Sequence, residues 1–329
     1  MNNKIVLILP YFGTFSNYFQ LFLNSCKYNQ DIDFLIVTDN QEKFEYPKNV
    51  QVKYMLFEEL KSRIQMLFDF EIRLDTYIKL CDYKPVYGEL FEDEIREYDF
   101  WGHCDCDLIF GHIRKFITVE ILSKYEKIGH LGHLTIYKNT YENNRRYRLS
   151  IELCGGGTKA YPYKEVFGCS ELKGFDEWNW PWFNDNRISV NDIFKSYHIP
   201  VYYKTHFGDC VPFTDKFIET CYDPANSKFS QTHVAAYHFV NGKLFAEMSG
   251  AKEERLYVHL QKRAMSVQTD CEEEYFIIPN SFVSDFTGIR RITNQIKGLF
   301  DLSKRRITLL RLKGRIIRTI KKPLNLKKH

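Results

Sequence analysis

The chain has 329 residues, 44% hydrophobic and 27% charged, with 46 Lys and Arg against 42 Asp and Glu. That is enough for one large α/β domain with an appendage or for two domains, and the composition excludes a disordered or collagen-like chain. No run approaches 18 apolar residues, so no bilayer-spanning helix is expected.

Residues 4–9 read as a buried first strand rather than a signal peptide, followed by a loop at 10–14 and helical spacing over 15–24. Residues 33–38 form a second strand ending at Asp39 and Asn40, and 50–55 a third. This alternation predicts a mainly parallel sheet flanked by helices, whose ligand sites gather beyond the C-terminal strand ends. Residues 58–80 keep helical spacing until Cys81-Asp82-Tyr83-Lys84-Pro85, where Pro85 biases Lys84 toward an extended conformation. Residues 91–98 lead into a strand that ends at Asp105, Cys106 and Asp107, just before Leu108-Ile109-Phe110. Two carboxylates that close suit a hard divalent cation, which prefers oxygen ligands and leaves positions for substrate phosphates.

Residues 113–122 read as a helix, 133–137 as a short strand and 139–148 as a polar, exposed segment. Gly155-Gly156-Gly157 lacks the spacing of a dinucleotide fingerprint. An acidic, tryptophan-rich stretch follows, with Asp176, Glu177, Trp178, Trp180, Trp182 and Asp185. Residues 188–197 resemble a helix, 234–245 a hairpin turning at Asn241-Gly242, and 256–260 a short strand.

The nine cysteines are scattered without a close CxxC pair, so reduced thiols in a cytoplasmic protein are expected. His103, Cys104 and Cys106 do not make a structural zinc site, because neighbours on a strand point to opposite faces. Residues 304–329 hold 11 Lys and Arg and no acid, so residues 1–303 carry 35 basic against 42 acidic side chains. Within that tail Leu309, Leu312, Ile316 and Ile320 recur at helical spacing among basic residues. Two readings stand: an interfacial helix on anionic lipid, which the charge density favours, or a terminal helix packed on the body. No nucleic-acid-binding module accompanies the tail.

Taken in order, Leu9-Pro10-Tyr11-Phe12-Gly13, Thr38-Asp39, Cys81 to Pro85, Tyr98 to Leu108 and Tyr257 to Met265 resemble a bacterial GT-A-fold glycosyltransferase of capsule or lipopolysaccharide biosynthesis. The resemblance implies a Rossmann-like, mainly parallel sheet with an acceptor-side subdomain. Residues 1–290 would be the glycosyltransferase domain, with 1–125 binding the nucleotide sugar, 126–290 on the acceptor side, and 291–329 a basic amphipathic tail. It further implies that Pro10, Tyr11, Phe12 and Asp39 hold a nucleotide. In the DxD pair, Asp107 would sit directly on Mn2+ or Mg2+ bridging a donor diphosphate, while Asp105 would face ribose or donor sugar or reach the metal through water. His259 would complete the coordination, with a packed or exposed histidine as its competing reading. Lys262 or Arg263 would lie near phosphate and Lys84 near the donor, although a solvated lysine reads as well.

The implied reaction is transfer of a hexosyl group from a UDP sugar to a hydroxyl of a growing surface glycan, with inversion, although a retaining enzyme can carry the same metal motif. Asp176 or Glu177 would be the base, and an ordinary acidic cap is the competing reading. The tryptophans would stack on sugar or fill a second core. The other classes that the residues allow are a non-catalytic glycan-binding protein and a metal-dependent phosphohydrolase or nucleotidyltransferase. The implied partners are the nucleotide sugar, a lipid-linked or growing oligosaccharide and the inner face of the cell membrane.

Overall fold

The computed structural model describes residues 3–152, 159–175, 188–204, 206–210, 217–223, 228–248, 251–261, 263–269 and 272–286. The expectations for Asp176, Glu177, Lys262, the tryptophans at 178, 180 and 182, and the 304–329 tail lie outside these residues. The first seven strands are β1 (Ile5–Pro10), β2 (Ile32–Thr38), β3 (Val50–Tyr54), β4 (Phe100–Cys104), β5 (Leu108–Phe110), β6 (Lys127–Leu131) and β7 (Leu134–Lys138).

The principal sheet has the order Val201–Tyr202, β6, β7, β4, β1, β2, β3. β1 is parallel to β2 and β4, β2 to β3, and Val201–Tyr202 to β6. β7 runs antiparallel to both β4 and β6. The sheet is thus mainly parallel, as expected, with β7 as its one antiparallel strand, because β6 returns directly into β7 as a hairpin without a crossover helix. Two further sheets were not anticipated. One joins Phe207–Asp209, Tyr257–His259 and β5 in that order. The other has six strands built around the Ala236–Val240 and Lys243–Met248 hairpin. That hairpin turns where expected, with Asn241 at φ 47° and Gly242 at φ 78°, the paired positive angles of a type I′ turn.

Side-chain alternation along β1 explains the layering. Ile5, Leu7 and Leu9 pack with Phe19, Phe22 and Leu23 of α1 (Phe19–Lys27) on one face. Val6 and Ile8 pack with Leu60 and Ile64 of α2 (Phe57–Gln65) on the other. α1 also turns Leu21 toward Ile109 and the six-stranded sheet, tying that sheet to the main body. Each such buried aliphatic or aromatic side chain contributes about 1.5–3 kcal/mol.

Three local expectations are corrected. The helix expected over 58–80 stops at Gln65, whose side chain bonds Phe70 O and Ile72 N at 2.9 and 3.0 Å and so holds a loop. The break expected at Lys84-Pro85 is instead helical: turns run through Leu80–Tyr83, Lys84–Val86 and Tyr87–Leu90, with Lys84 at φ −51°, ψ −42°. Pro85 lies in the first turn of Lys84–Val86, where a missing N–H is no loss. The 139–148 segment is not simply exposed, because Asn143, Asn144 and Tyr147 are buried. Asn143 donates to the Glu126 and Lys138 carbonyls, and Asn144 accepts the indole N–H of Trp101 at 2.6 Å.

Candidate metal centre and donor cleft

β4 lies beside β1 on the side opposite β2, so the order of the sheet reverses between them. In open α/β sheets ligands collect at such a switch point, beyond the C-terminal ends of the strands. The Pro10–Thr14 loop leaves β1 there and Asp105 leaves β4 there. A cleft of about 470 Å³ opens between them, and Pro10, Tyr11, Phe12, Lys84, Asp105 and Asp107 all contribute to its wall. Arg263 reaches the same wall. That volume is in the usual range for a small-molecule site.

The DxD carboxylates and the late histidine, 152 residues apart in sequence between Asp107 and His259, meet because β5 pairs antiparallel with Tyr257–His259. Leu108 stands opposite His259 in that register. Leu260 N donates to Asp107 O at 3.0 Å, closing the ladder. His259 Nε2 lies 3.5 Å from Asp107 Oδ1 and 4.0 Å from Asp105 Oδ2. One ligand atom from each of the three falls within 4.8 Å of the others. An octahedral Mg2+-sized ion at about 2.1 Å sets neighbouring ligands roughly 3 Å apart and opposing ones roughly 4.2 Å apart, and the 3.5 and 4.0 Å separations from His259 Nε2 fall within that span. Two carboxylates and one imidazole also leave positions for phosphate oxygens.

The electrostatics favour positive charge at this point. Burial disfavours protonated His259, yet Asp107 and Asp209 overcome it and hold its pKa well above the ordinary histidine range. Burial likewise opposes charge on Lys84, and Asp105 outweighs it, keeping the ammonium firmly protonated. Lys84 Nζ donates to Asp105 Oδ1 at 2.7 Å and to the Gly132 carbonyl at 2.6 Å. Tyr11 is pushed up to about 12 by burial and by the negative potential of Cys106 and Asp107.

Two residues that carry the site were not found from the sequence. Asp209 accepts from His259 Nδ1 at 2.9 Å, and its partner register in the parallel pair is His259 itself. His133 stacks on His259 with ring centroids 4.4 Å apart, and its Nδ1 meets Tyr257 OH at 2.8 Å. Burial and neighbouring His259 press His133 down to about 3, so it is a neutral imidazole. His133, Asp209 and His259 make a second group whose ligand atoms lie within 4.8 Å of one another. Nothing in the chain near Asp209 marks it; only the strand pairing joins it to a histidine 50 residues later.

The other predicted residues have visible jobs. Asp39 is exposed, and its Oδ1 accepts from Gly13 N at 3.0 Å, while Asn40 Nδ2 donates to Gly13 O. Both brace the loop at Gly13, whose φ of 96° favours glycine. Phe12 is buried against Phe57. Arg263 is buried, bonds Asn280 Oδ1 at 3.2 Å and lies over Phe217. Cys104 is wholly buried, which raises its thiol far above the ordinary range and leaves it structural rather than reactive.

Residues 7–285 match a family of unknown function, DUF6625. The chain belongs to this family. No curated protein matches it. Among solved structures, this DUF6625 member is similar to the galactosyltransferase LgtC, determined in complex with donor and acceptor sugar analogues. The identity is 9%, with 62% of this chain and 75% of that chain covered and a TM-score of 0.33. What the DUF6625 chain itself presents is a mixed α/β fold with two His/Asp groups able to hold a divalent cation.

Proposed function

We propose that this protein is a metal-dependent GT-A-type glycosyltransferase, which moves a hexosyl group from a UDP sugar to a hydroxyl of a growing surface glycan. The observation that carries the reading is the convergence of Asp105, Asp107 and His259 at the rim of a cleft walled by the β1 loop and Lys84. A bound Mn2+ or Mg2+ supplies Lewis-acid stabilisation to a departing nucleoside diphosphate. Asp105, Asp107 and His259 hold that ion, Lys84 adds positive charge beside it, and Pro10, Tyr11 and Phe12 wall the nucleotide end. Asp39 orders that wall through Gly13. Lys262 and Arg263 are assigned to the phosphate side.

Transfer proceeds with inversion in this reading. The acceptor oxygen bonds the anomeric carbon as the bond from that carbon to the diphosphate oxygen breaks, and the diphosphate takes the electron pair. Asp176 receives the acceptor proton, with Glu177 orienting it. Residues 126–290 form the acceptor side in this assignment. The basic 304–329 segment brings the enzyme to anionic lipid at the inner membrane face, where a lipid-linked acceptor lies. Among the described residues no helix is long and apolar enough to cross a membrane. Deleting 304–329 is expected to lower association with anionic vesicles and to spare transfer to a soluble acceptor; undiminished vesicle binding removes the membrane role.

The test of the donor site is calorimetry across UDP-, GDP-, CMP- and dTDP-sugars, with Mn2+ and with chelator, for the wild type and Asp107→Ala. Binding of one nucleotide class that needs Mn2+ and is lost in the variant upholds the reading. Nucleotide turnover that ignores any sugar acceptor points instead to phosphohydrolase chemistry at the same carboxylates. A folded protein that binds no donor under any metal condition sinks the transferase assignment.

A further inference from the structure

We propose that Asp209 is the positioning residue of the metal centre, fixing the His259 ring so that its Nε2 lone pair points at the cation held with Asp105 and Asp107. The inference deepens the metal-site reading above and rests on it. A histidine ligates through one ring nitrogen, and the hydrogen bond made by the other decides which one. Here the division is unambiguous: Nδ1 meets Asp209 Oδ1 at 2.9 Å, and Nε2 faces Asp107 and Asp105. Asp209 is buried, its side chain 7% exposed, so a carboxylate there needs a reason.

Its placement is built into the backbone. Phe207–Asp209 and β5 flank Tyr257–His259, and the two registers set Asp209 and Leu108 on either side of His259. Cys210 N donates to His259 O at 3.1 Å, locking that register. The carboxylate is itself held: Gln261 Nε2 donates to the same Oδ1 at 2.6 Å. Gln261 does so from φ 50°, a left-handed conformation that a side chain adopts at some energetic cost. The result is a chain running Gln261, Asp209, His259 and then the carboxylate pair.

The competing arrangement puts an ion among His133, Asp209 and His259. Two facts oppose it. His133 and His259 are stacked at 27° between ring planes, so their in-plane lone pairs run side by side instead of converging. His259 Nδ1 already faces Asp209 and His133 Nδ1 faces Tyr257 OH, which leaves His133 Nε2 alone among these nitrogens without a hydrogen bond, and one such atom does not hold an ion. The two groups share His259, and its geometry assigns it to the Asp105 and Asp107 side. One ion per chain follows.

The experiment is a Mn2+ titration of the full chain, with free Mn2+ read by electron paramagnetic resonance and melting followed separately. Asp209→Leu, which keeps the shape without the acceptor, is expected to weaken Mn2+ about 10–100-fold with one ion still bound. Asp209→Asn retains an oxygen that can accept the Nδ1 hydrogen and should restore most of that loss. A merely structural Asp209 would lower the melting point and leave Mn2+ affinity within about twofold, which overturns the proposal. Two ions per wild-type chain overturn it as well. Should Asp209→Leu fail to fold, Asp209→Ala, which also lacks the acceptor, decides: weakening by more than about threefold supports the role, and any smaller change rejects it. Mn2+ binding that Asp107→Ala abolishes but Asp209 variants leave alone rejects only this inference. A wild type that binds no Mn2+ rejects both it and the metal-site reading.

Discussion

Two lysine–aspartate pairs take their lysines from one short helical stretch and differ in what their carboxylates still have to offer. Lys79 and Asp82 are 3% and 0% exposed, 2.6 Å apart, and every contact is internal. Asp82 also accepts the backbone N–H of Lys173 at 2.8 Å and of Phe175 at 3.0 Å, while Lys79 donates to the Val166 and Glu171 carbonyls. Lys84 and Asp105 make the same pair at 2.7 Å, but Asp105 is 33% exposed and its second oxygen faces His259 across 4.0 Å. A closed pair spends its hydrogen-bonding capacity on the fold. An open one keeps capacity for a ligand. The first pair pins the 171–175 segment, and the second guards a cleft.

The largest effect should come from breaking the closed pair. Asp82→Ala leaves a buried ammonium with carbonyl partners alone and strands two backbone donors. Removing one member of a buried pair costs about 3–5 kcal/mol. The expected result is a large drop in melting temperature, while Mn2+ affinity of the folded protein stays within about twofold. Replacing both partners with apolar residues should recover only part of the loss, since the N–H groups of Lys173 and Phe175 remain unmet. A melting point unchanged in Asp82→Ala would break the contrast at its stronger end.

How much of this contrast the sequence discloses depends on how far its partners are apart. The alternation Ile5, Leu7, Leu9 against Val6, Ile8 announces β1 and its two buried faces, and Asn241-Gly242 announces its hairpin, because both signals are local. Asp105 and Asp107 are visible because they are neighbours, and His259 through its resemblance to a known motif. Asp209 carries no local mark; a parallel register with His259 gives it its role. The conformation of Lys84 is hidden from the sequence because Pro85 disfavours a helical residue before it, whereas tertiary bonds to Asp105 and Gly132 override that preference. Asn143 and Asn144 read as exposed since their partners, the Glu126 and Lys138 carbonyls and the Trp101 indole, come from other elements. The six-stranded sheet escaped notice partly because Ala251–Arg255 is almost wholly polar, as an edge strand can be.

The middle effect sharpens the comparison. Lys84→Met leaves Asp105 with access to water and to any cation, so stability should fall by only about 1–3 kcal/mol, less than for Asp82→Ala. Mn2+ alone should bind at least as tightly, because a competing ammonium is gone. A nucleoside diphosphate presented with Mn2+ should bind about tenfold more weakly, the equivalent of 1.4 kcal/mol for one lost charge contact. If Lys84→Met melts as low as Asp82→Ala and binds diphosphate normally, Lys84 is a second structural lysine and the contrast collapses.

The smallest effect belongs to a third acid–base pair, Arg96 with Asp93, which lies wholly on the surface. Its side chains are 72% and 86% exposed, three residues apart in the chain. Water solvates both groups whether or not they touch, and ordering two long side chains offsets most of the attraction. Arg96→Ala should therefore shift stability by no more than about 0.5 kcal/mol and leave Mn2+ and diphosphate binding unchanged. The three pairs then form a series in which chemical type is constant and surroundings vary. A clear loss of stability in Arg96→Ala would mean that pairing itself, rather than unmet buried capacity, governs these contacts. In that case the inference that Asp105 is open for a ligand would lose its physical basis, since an ion pair would count the same at any depth.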